Sequence, residues 1–170
     1  MIPGAALVVL VACGPDASRL AEGLRSDNPA VREDMALRAR HDRHPEVTAA
    51  LVEALGDPSE CIRLAVVQSL ADRGHPSAAP ALVSRLRIET SPAVKREVID
   101  ALGRIGDDGA VPSLLNLVES TPVDEVPPNV LWALGRIGDR RALPVLVRLR
   151  EEATDPYVVY NANVALRRLE

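Results

Sequence analysis

Leu70, Leu102, Leu134 and Leu166 stand 32 residues apart, as do Pro80, Pro112 and Pro144, Gly74, Gly106 and Gly138, and Leu82, Leu114 and Leu146. A step of 31 back from Leu82 reaches Leu51, a second step reaches Leu20, and Leu55 and Leu24 repeat in the same way. Separate columns that agree on one period constrain the fold more than any single residue does. Each period is one supersecondary unit that cannot bury its apolar side alone, so the units must stack on one another.

Within a unit the apolar spacing is helical twice. The first helix holds Ala-Pro-Ala-Leu-Val at 79–83, Val-Pro-Ser-Leu-Leu at 111–115 or Leu-Pro-Val-Leu-Val at 143–147. Its proline falls in or near the first turn, where a missing N–H costs nothing. The second helix carries Ile62, Val66, Val67 and Leu70, then Val94, Val98, Ile99 and Leu102, then Val126, Val130, Leu131 and Leu134. It stops in Leu-Gly-Arg-Ile-Gly-Asp, found at 102–107 and 134–139, where Gly106 and Gly138 suit the left-handed conformation that closes a helix. The Gly-x-x-Gly at 103–106 and 135–138 is accordingly read as helix termination. Asp57-Pro58, Ser91-Pro92, Pro127-Pro128 and Asp155-Pro156 read as starts of second helices. The spacing therefore predicts five helix pairs: 17–24 with 29–41, 46–55 with 58–72, 77–86 with 92–105, 110–118 with 127–137, and 141–151 with 156–169. The expected fold is all-α, a right-handed α-solenoid of about five such pairs with a period of 31–32 residues. The first pair is the least regular, with Arg38, Ala39 and Asp42 where Ala, Leu and Ile are expected.

Composition agrees with thin aliphatic layers. Apolar residues make up 47% and aromatic residues 2%, with no Phe, Trp132 alone, and Tyr157 and Tyr160 close together. The net charge of −4 lacks the basic excess of a general nucleic-acid-binding domain. Of the 20 basic residues only Lys95 is lysine. Cys13 and Cys61 have neither metal-ligand spacing nor a disulfide framework, and Cys61 is expected half-buried on a helix.

These units resemble HEAT repeats, and Val-Lys or Val-Arg followed by Ala-Leu-Gly-Arg-Ile-Gly-Asp and Ala-Leu-Pro-x-Leu resembles the short variety named after phycobilisome lyases. The resemblance runs over roughly 16–170. It implies the solenoid fold and, most often, protein–protein scaffolding, with bilin-lyase subunits, a di-iron hydroxylase and some DNA glycosylases as enzymatic exceptions. It also implies that the basic column Arg32, Arg63 and Lys95 pairs with inter-repeat aspartates, for which Asp57, Asp107 and Asp139 are candidates. The di-iron members carry His-Glu dipeptides on successive helices, and this chain has none.

Residues 1–13 form a segment apart from the repeat domain at 14–170. Residues 5–13 contain no polar side chain, too short a run for a bilayer span of about 20 residues but suited to a signal-peptide core. Leu10-Val11-Ala12-Cys13 resembles a lipobox, which implies cleavage before Cys13, its diacylation, and anchoring at a bacterial cell envelope. No Lys or Arg precedes the run. The alternative is a leftover helix of a degenerate preceding repeat and a cytoplasmic protein.

In a solenoid of this kind the second helices line the concave surface, and their non-core columns form the natural binding face. The positions six before, two before and two after the repeated leucine share one stripe. On it fall Arg96, Asp100, Arg104, Trp132, Arg136, Tyr160 and Arg168. Trp, Tyr and Arg dominate binding hot spots, so these residues are the candidate partner-binding patch. His41 and His44 are three apart and can share a helical face, with His75 in an equivalent loop one repeat on, but no third and fourth ligand accompanies them. No metal, no cofactor and no small-molecule substrate is expected. Neither Ser nor Cys stands with a His and an acid in corresponding positions, so no catalytic residue is assigned. The reading is a non-catalytic scaffold for an unidentified protein or peptide, with membrane contact only through Cys13. The alternatives are an enzyme or enzyme subunit of the bilin-lyase type, with Trp132 and Asp100 flanking a planar group, or a nucleic-acid-binding protein using the arginine stripe.

Overall fold

The computed structural model describes residues 16–170; the signal-segment and lipidation expectations for 1–13 and Cys13 lie outside them. Ten α-helices follow in pairs: α1 (Ala17–Gly23) and α2 (Pro29–Arg38), α3 (Pro45–Ala54) and α4 (Glu60–Arg73), α5 (Ala79–Ile88) and α6 (Pro92–Ile105), α7 (Val111–Glu119) and α8 (Pro128–Ile137), α9 (Leu143–Glu152) and α10 (Pro156–Leu169). No strand occurs among the described residues, and no helix there is long and apolar enough to cross a membrane. The second helices stack directly on one another, α2 on α4 on α6 on α8 on α10, while α5, α7 and α9 pack mainly on their own partners and α1 and α3 also pack on each other. The result is an α-solenoid whose continuous core holds the repeated Leu70, Leu102 and Leu134 fully buried beside Leu82, Leu114 and Leu146.

Local chemistry sets the helix ends. Asn28, Ser91 and Asp155 cap α2, α6 and α10 through side-chain oxygens, with proline in the first turn of each. Gly106 and Gly138 take φ of 76° and close α6 and α8 as expected, and Gly74, with φ of 59°, closes α4 in the same way. The expected start at Asp57-Pro58 is displaced: α4 begins at Glu60, and the Asp57 carboxylate accepts the Ser59 N–H instead. Cys61 is exposed on α4 rather than half-buried.

The other glycine of each motif has a role that termination does not explain. Gly103 and Gly135 are buried in helix interiors. A Cβ on Gly103 would lie 2.9 Å from the Ala133 Cα and 2.6 Å from the Trp132 ring, and one on Gly135 would lie 2.8 Å from the Ala165 Cα. These glycines let successive second helices touch backbone to backbone, which is how the stack closes without large side chains.

Repeat 1 is irregular in a way its neighbour corrects. With Ala39 in place of leucine, α2 ends in a short 3-10 turn at Ala39–His41. Arg73, occupying the column of Ile105 and Ile137, is buried and donates to the carbonyls of Ala39 and His44 at 3.0 Å and to the Thr48 hydroxyl at 2.6 Å. Burial lowers its pKa from the ordinary arginine value, and these acceptors are what make a guanidinium tolerable there.

The basic column builds two rungs of an inter-repeat ladder. Arg32 pairs with Asp57 at 2.6 Å and donates to the Ser26 and Asp27 carbonyls. Arg63 grips the Glu89 carboxylate with two bonds of 3.0 Å and donates to the Asp57 and Pro58 carbonyls. Each arginine thus clamps its own inter-helix turn to an acid from the next repeat. Glu89 also accepts from Arg85 at 2.7 Å and from the N–H groups of Thr90 and Ser91. Burial works to raise the Glu89 pKa, but the hydrogen bonds from Arg63, Ser91, Arg85 and Thr90 outweigh it and hold the carboxyl at about 2. Asp107 and Asp139 are not ladder partners. They cap 3-10 turns by accepting the N–H of Gly109 and Arg141, because their position lies beyond the helix-closing glycine at the start of the next unit.

Gly103→Ala is expected to lower the thermal unfolding midpoint. The overpacking cost of about 1–3 kcal/mol exceeds the gain of about 1 kcal/mol in helix propensity. Glu89→Gln is expected to cost about 3–5 kcal/mol at neutral pH by leaving buried guanidinium groups unpaired, read by denaturant unfolding. Because the folded Glu89 carboxyl sits at about 2 against an ordinary 4.5, its stabilisation is complete above about 4.5 and is lost as pH falls toward 2. The variant's stability should lack that part of the acid-side slope.

Candidate functional site

The stripe is built by α6, α8 and α10, whose positions four apart return to one side of the helix after about one turn. The opposite side of each helix is committed to the core through Val98 and Leu102, Val130 and Leu134, and Ala162 and Leu166. The helix stack therefore orients the stripe outward. Arg96, Arg104, Arg136, Tyr160 and Arg168 are exposed, while Asp100 and Trp132 are half-buried.

Two contacts show the stripe's organisation. The Arg136 guanidinium lies over the Trp132 ring, 6.0 Å from its centroid, within the range of a cation–π contact. The far edge of the same ring rests against Gly103 on α6, so Trp132 both packs between repeats and presents itself on the surface. Arg104 meets Asp72 at 3.2 Å, and Arg40 meets the same carboxylate at 3.2 Å. Asp72 and Arg104 hold the same position in adjacent repeats, so the stripe is continuous across the stack.

Charge divides the stripe in two. Around α4 the Asp72 carboxylate neutralises it. Toward the C-terminus Arg96, Arg136 and Arg168 make no ion pair among the described residues. Tyr160, 64% exposed, lies at this same end, with Tyr157 at 75% one turn earlier on α10. The structure places all the sequence-singled residues on this one helix layer. It brings Trp132 together with Arg136, whereas Asp100 has no ion-pair or hydrogen-bond partner among the described residues and does not join Arg104.

The histidines do not assemble. His41 ends a 3-10 turn, whereas His44 precedes α3 and accepts the Glu46 N–H through Nδ1, so the two do not share a helix face. His75 caps the following 3-10 turn through Ser77 in the same manner. His44, His75, Asp107 and Asp139 occupy one repeat position and serve one capping purpose. Among the described residues no group of three His, Cys, Asp or Glu is placed to hold a metal ion.

A feature that the sequence reading missed lies on the other side of the molecule. Since α3, α5 and α7 scarcely touch one another, clefts open between α3 and α5 and between α5 and α7. The second, about 160 Å3, contains Lys95. The signal was present in the repeat alignment: Asp57 and Glu89 are followed 32 residues later by Thr121, an uncharged residue.

The family model for HEAT repeats matches residues 17–91 and 79–167. Among solved structures, the complex of CpcE and CpcF of phycocyanin lyase from Nostoc sp. PCC7120 is similar over 98% of this chain and 70% of that one, with 21% identity and a TM-score of 0.76. A designed armadillo repeat protein in complex with the peptide (KR)4 is similar over 91% of this chain and 82% of that one, with 19% identity and a TM-score of 0.65. No curated protein matches the chain.

Proposed function

The chain belongs to the HEAT-repeat family, and from that premise we propose that it is a non-catalytic scaffold holding an acidic protein or peptide segment on its second-helix face. The observation that carries this reading is the Trp132–Arg136 pair, flanked on one face by exposed Tyr160 and by Arg96 and Arg168 without internal partners. Aromatic anchors ringed by arginine match the composition of interface hot spots, and the unpaired cations select against basic partners. The two similar structures named above are complexes with a protein or peptide, which supports a polypeptide partner.

The lyase neighbour favours a second reading, an enzyme subunit that handles a planar group between Trp132 and Asp100. Against it, Arg136 already lies over the indole ring.

The test is affinity capture with quantitative mass spectrometry, comparing the natural chain with Arg96→Glu/Arg136→Glu/Arg168→Glu. All three positions are exposed, so the variant should fold. A partner enriched by the natural chain should fall at least tenfold with the variant. Equal capture by both would overturn the assignment of the face. A coloured small molecule retained without any protein would favour the enzymatic reading. Salt-dependent recovery of nucleic acid alone would favour a nucleic-acid-binding protein that uses the arginine stripe.

We further propose that Cys13 anchors the solenoid at a bacterial envelope, on the support of the apolar run and Leu10-Val11-Ala12-Cys13. Intact mass from a native membrane fraction should show a chain beginning at Cys13 with added acyl mass. An unprocessed, unacylated chain would overturn it.

A further inference from the structure

The clefts between first helices are one site repeated, and the second copy has lost its internal ligand. In the α3–α5 cleft, Leu55, Arg85 and Ile88 take the places that Leu86, Leu117 and Ser120 take in the α5–α7 cleft 31 or 32 residues later. Beside the first cleft the Glu89 carboxylate is held by Arg63 and Arg85. One repeat on, Lys95 replaces Arg63, Leu117 replaces Arg85, and Thr121 replaces Glu89. The Thr121 hydroxyl turns back to donate to the Leu117 carbonyl at 2.7 Å, so it supplies nothing to Lys95. Lys95 is exposed and has no carboxylate partner among the described residues.

The following junction is not left open in this way. There the Asp124 carboxylate accepts from the Thr154 N–H at 2.6 Å, the Thr154 hydroxyl at 2.8 Å and the Asp155 N–H at 2.9 Å. The ladder therefore has an acid at every described junction except the one at Lys95, where the cleft repeats without it. Leu86, Ile99 and Leu117 wall that cavity, and Arg87 supplies a second exposed cation at its rim. Its volume of about 160 Å3 is well below the roughly 300–1,000 Å3 of small-molecule and cofactor pockets, but suits one side chain.

We propose that the α5–α7 cleft receives a glutamate side chain from a bound protein segment. Its carboxylate pairs with Lys95 and Arg87 as Glu89 pairs with Arg63 and Arg85, and its methylenes lie against Leu86, Ile99 and Leu117. The site is on the first-helix side, separate from the second-helix face, and stands whether or not that face binds a partner.

Lys95 being the only lysine makes a direct test possible. Reductive 13C-dimethylation keeps its charge and places one side-chain NMR probe in the cleft, apart from the chain's α-amine. The probe ligand is N-acetyl-Leu-Glu-Leu-amide, with N-acetyl-Leu-Gln-Leu-amide as its neutral counterpart. The glutamate peptide should give a saturable shift of the Lys95 signal and of the Leu117 and Ser120 amides, and the glutamine peptide should bind at least tenfold more weakly. Thr121→Glu restores the acid within the chain, so it should abolish the peptide response and raise the unfolding midpoint. Lys95→Gln, at an exposed position, should leave the fold intact and remove the amide shifts. Equal response to both peptides, persistence of the shifts in Lys95→Gln, or an equal saturating response to inorganic phosphate would overturn the proposal.

Discussion

The close approach of successive second helices is the constraint from which the rest of the molecule follows. Gly103 against Ala133 and Gly135 against Ala165 bring backbones so near that an added methyl group would collide. A chain with 2% aromatic residues and no Phe cannot fill wide gaps in its core, so it gains its dispersion energy from helices that nearly touch. That contact fixes the separation of repeats, and the separation in turn decides which side chains from neighbouring repeats can meet. Arg104 reaches Asp72 because equal positions on adjacent second helices are held close. On the other side α3, α5 and α7 are held apart, and the clefts between them are the geometric consequence.

Apolar stacking sets distance but does not by itself prevent a repeat from pivoting on its neighbour. The buried polar contacts supply that restraint at the loop edge. Arg63 holds the carbonyls of its own turn and a carboxylate of the next, so a pivot would break several charge-assisted hydrogen bonds at once. Arg73 does comparable work where repeat 1 departs from the pattern, tying the Ala39 carbonyl at the end of α2 to the His44 carbonyl at the start of α3. Such groups are costly to bury, and they are tolerated here because nearly every donor finds an oxygen.

A solenoid assembled in this way offers two unlike surfaces. The second-helix face is broad and carries charge in two zones, neutralised around Asp72 and cationic near Trp132 and Tyr160. The first-helix side is divided into small clefts at the repeat period. An extended acidic segment matches the first by charge and a single side chain matches the second by volume. Functional identity in such a fold lies in the residues that vary between otherwise equivalent positions, since the invariant ones are engaged in stacking.

Periodicity alone determined the helix pairs, their order and their closing glycines, because a 32-residue repeat admits one physical solution, stacking, and Gly106 and Gly138 sit where only a left-handed residue closes the turn. It also placed Trp132 and the arginines on one stripe, since the helical period is fixed by backbone geometry. What periodicity could not decide was which of two chemically sensible partners a charged side chain meets. Asp107 was a plausible partner for the basic column, yet Glu89 took that place and Asp107 became a cap, because the choice depends on distances between repeats rather than along the chain. Gly103 was legible as a glycine in a terminating motif, but its role appears only when the neighbouring helix is in position. The cleft at Lys95 belongs to the same class: the change from Glu89 to Thr121 is visible in the sequence, and only the packing of α5, α6 and α7 shows that it leaves Lys95 beside a cleft without an acid.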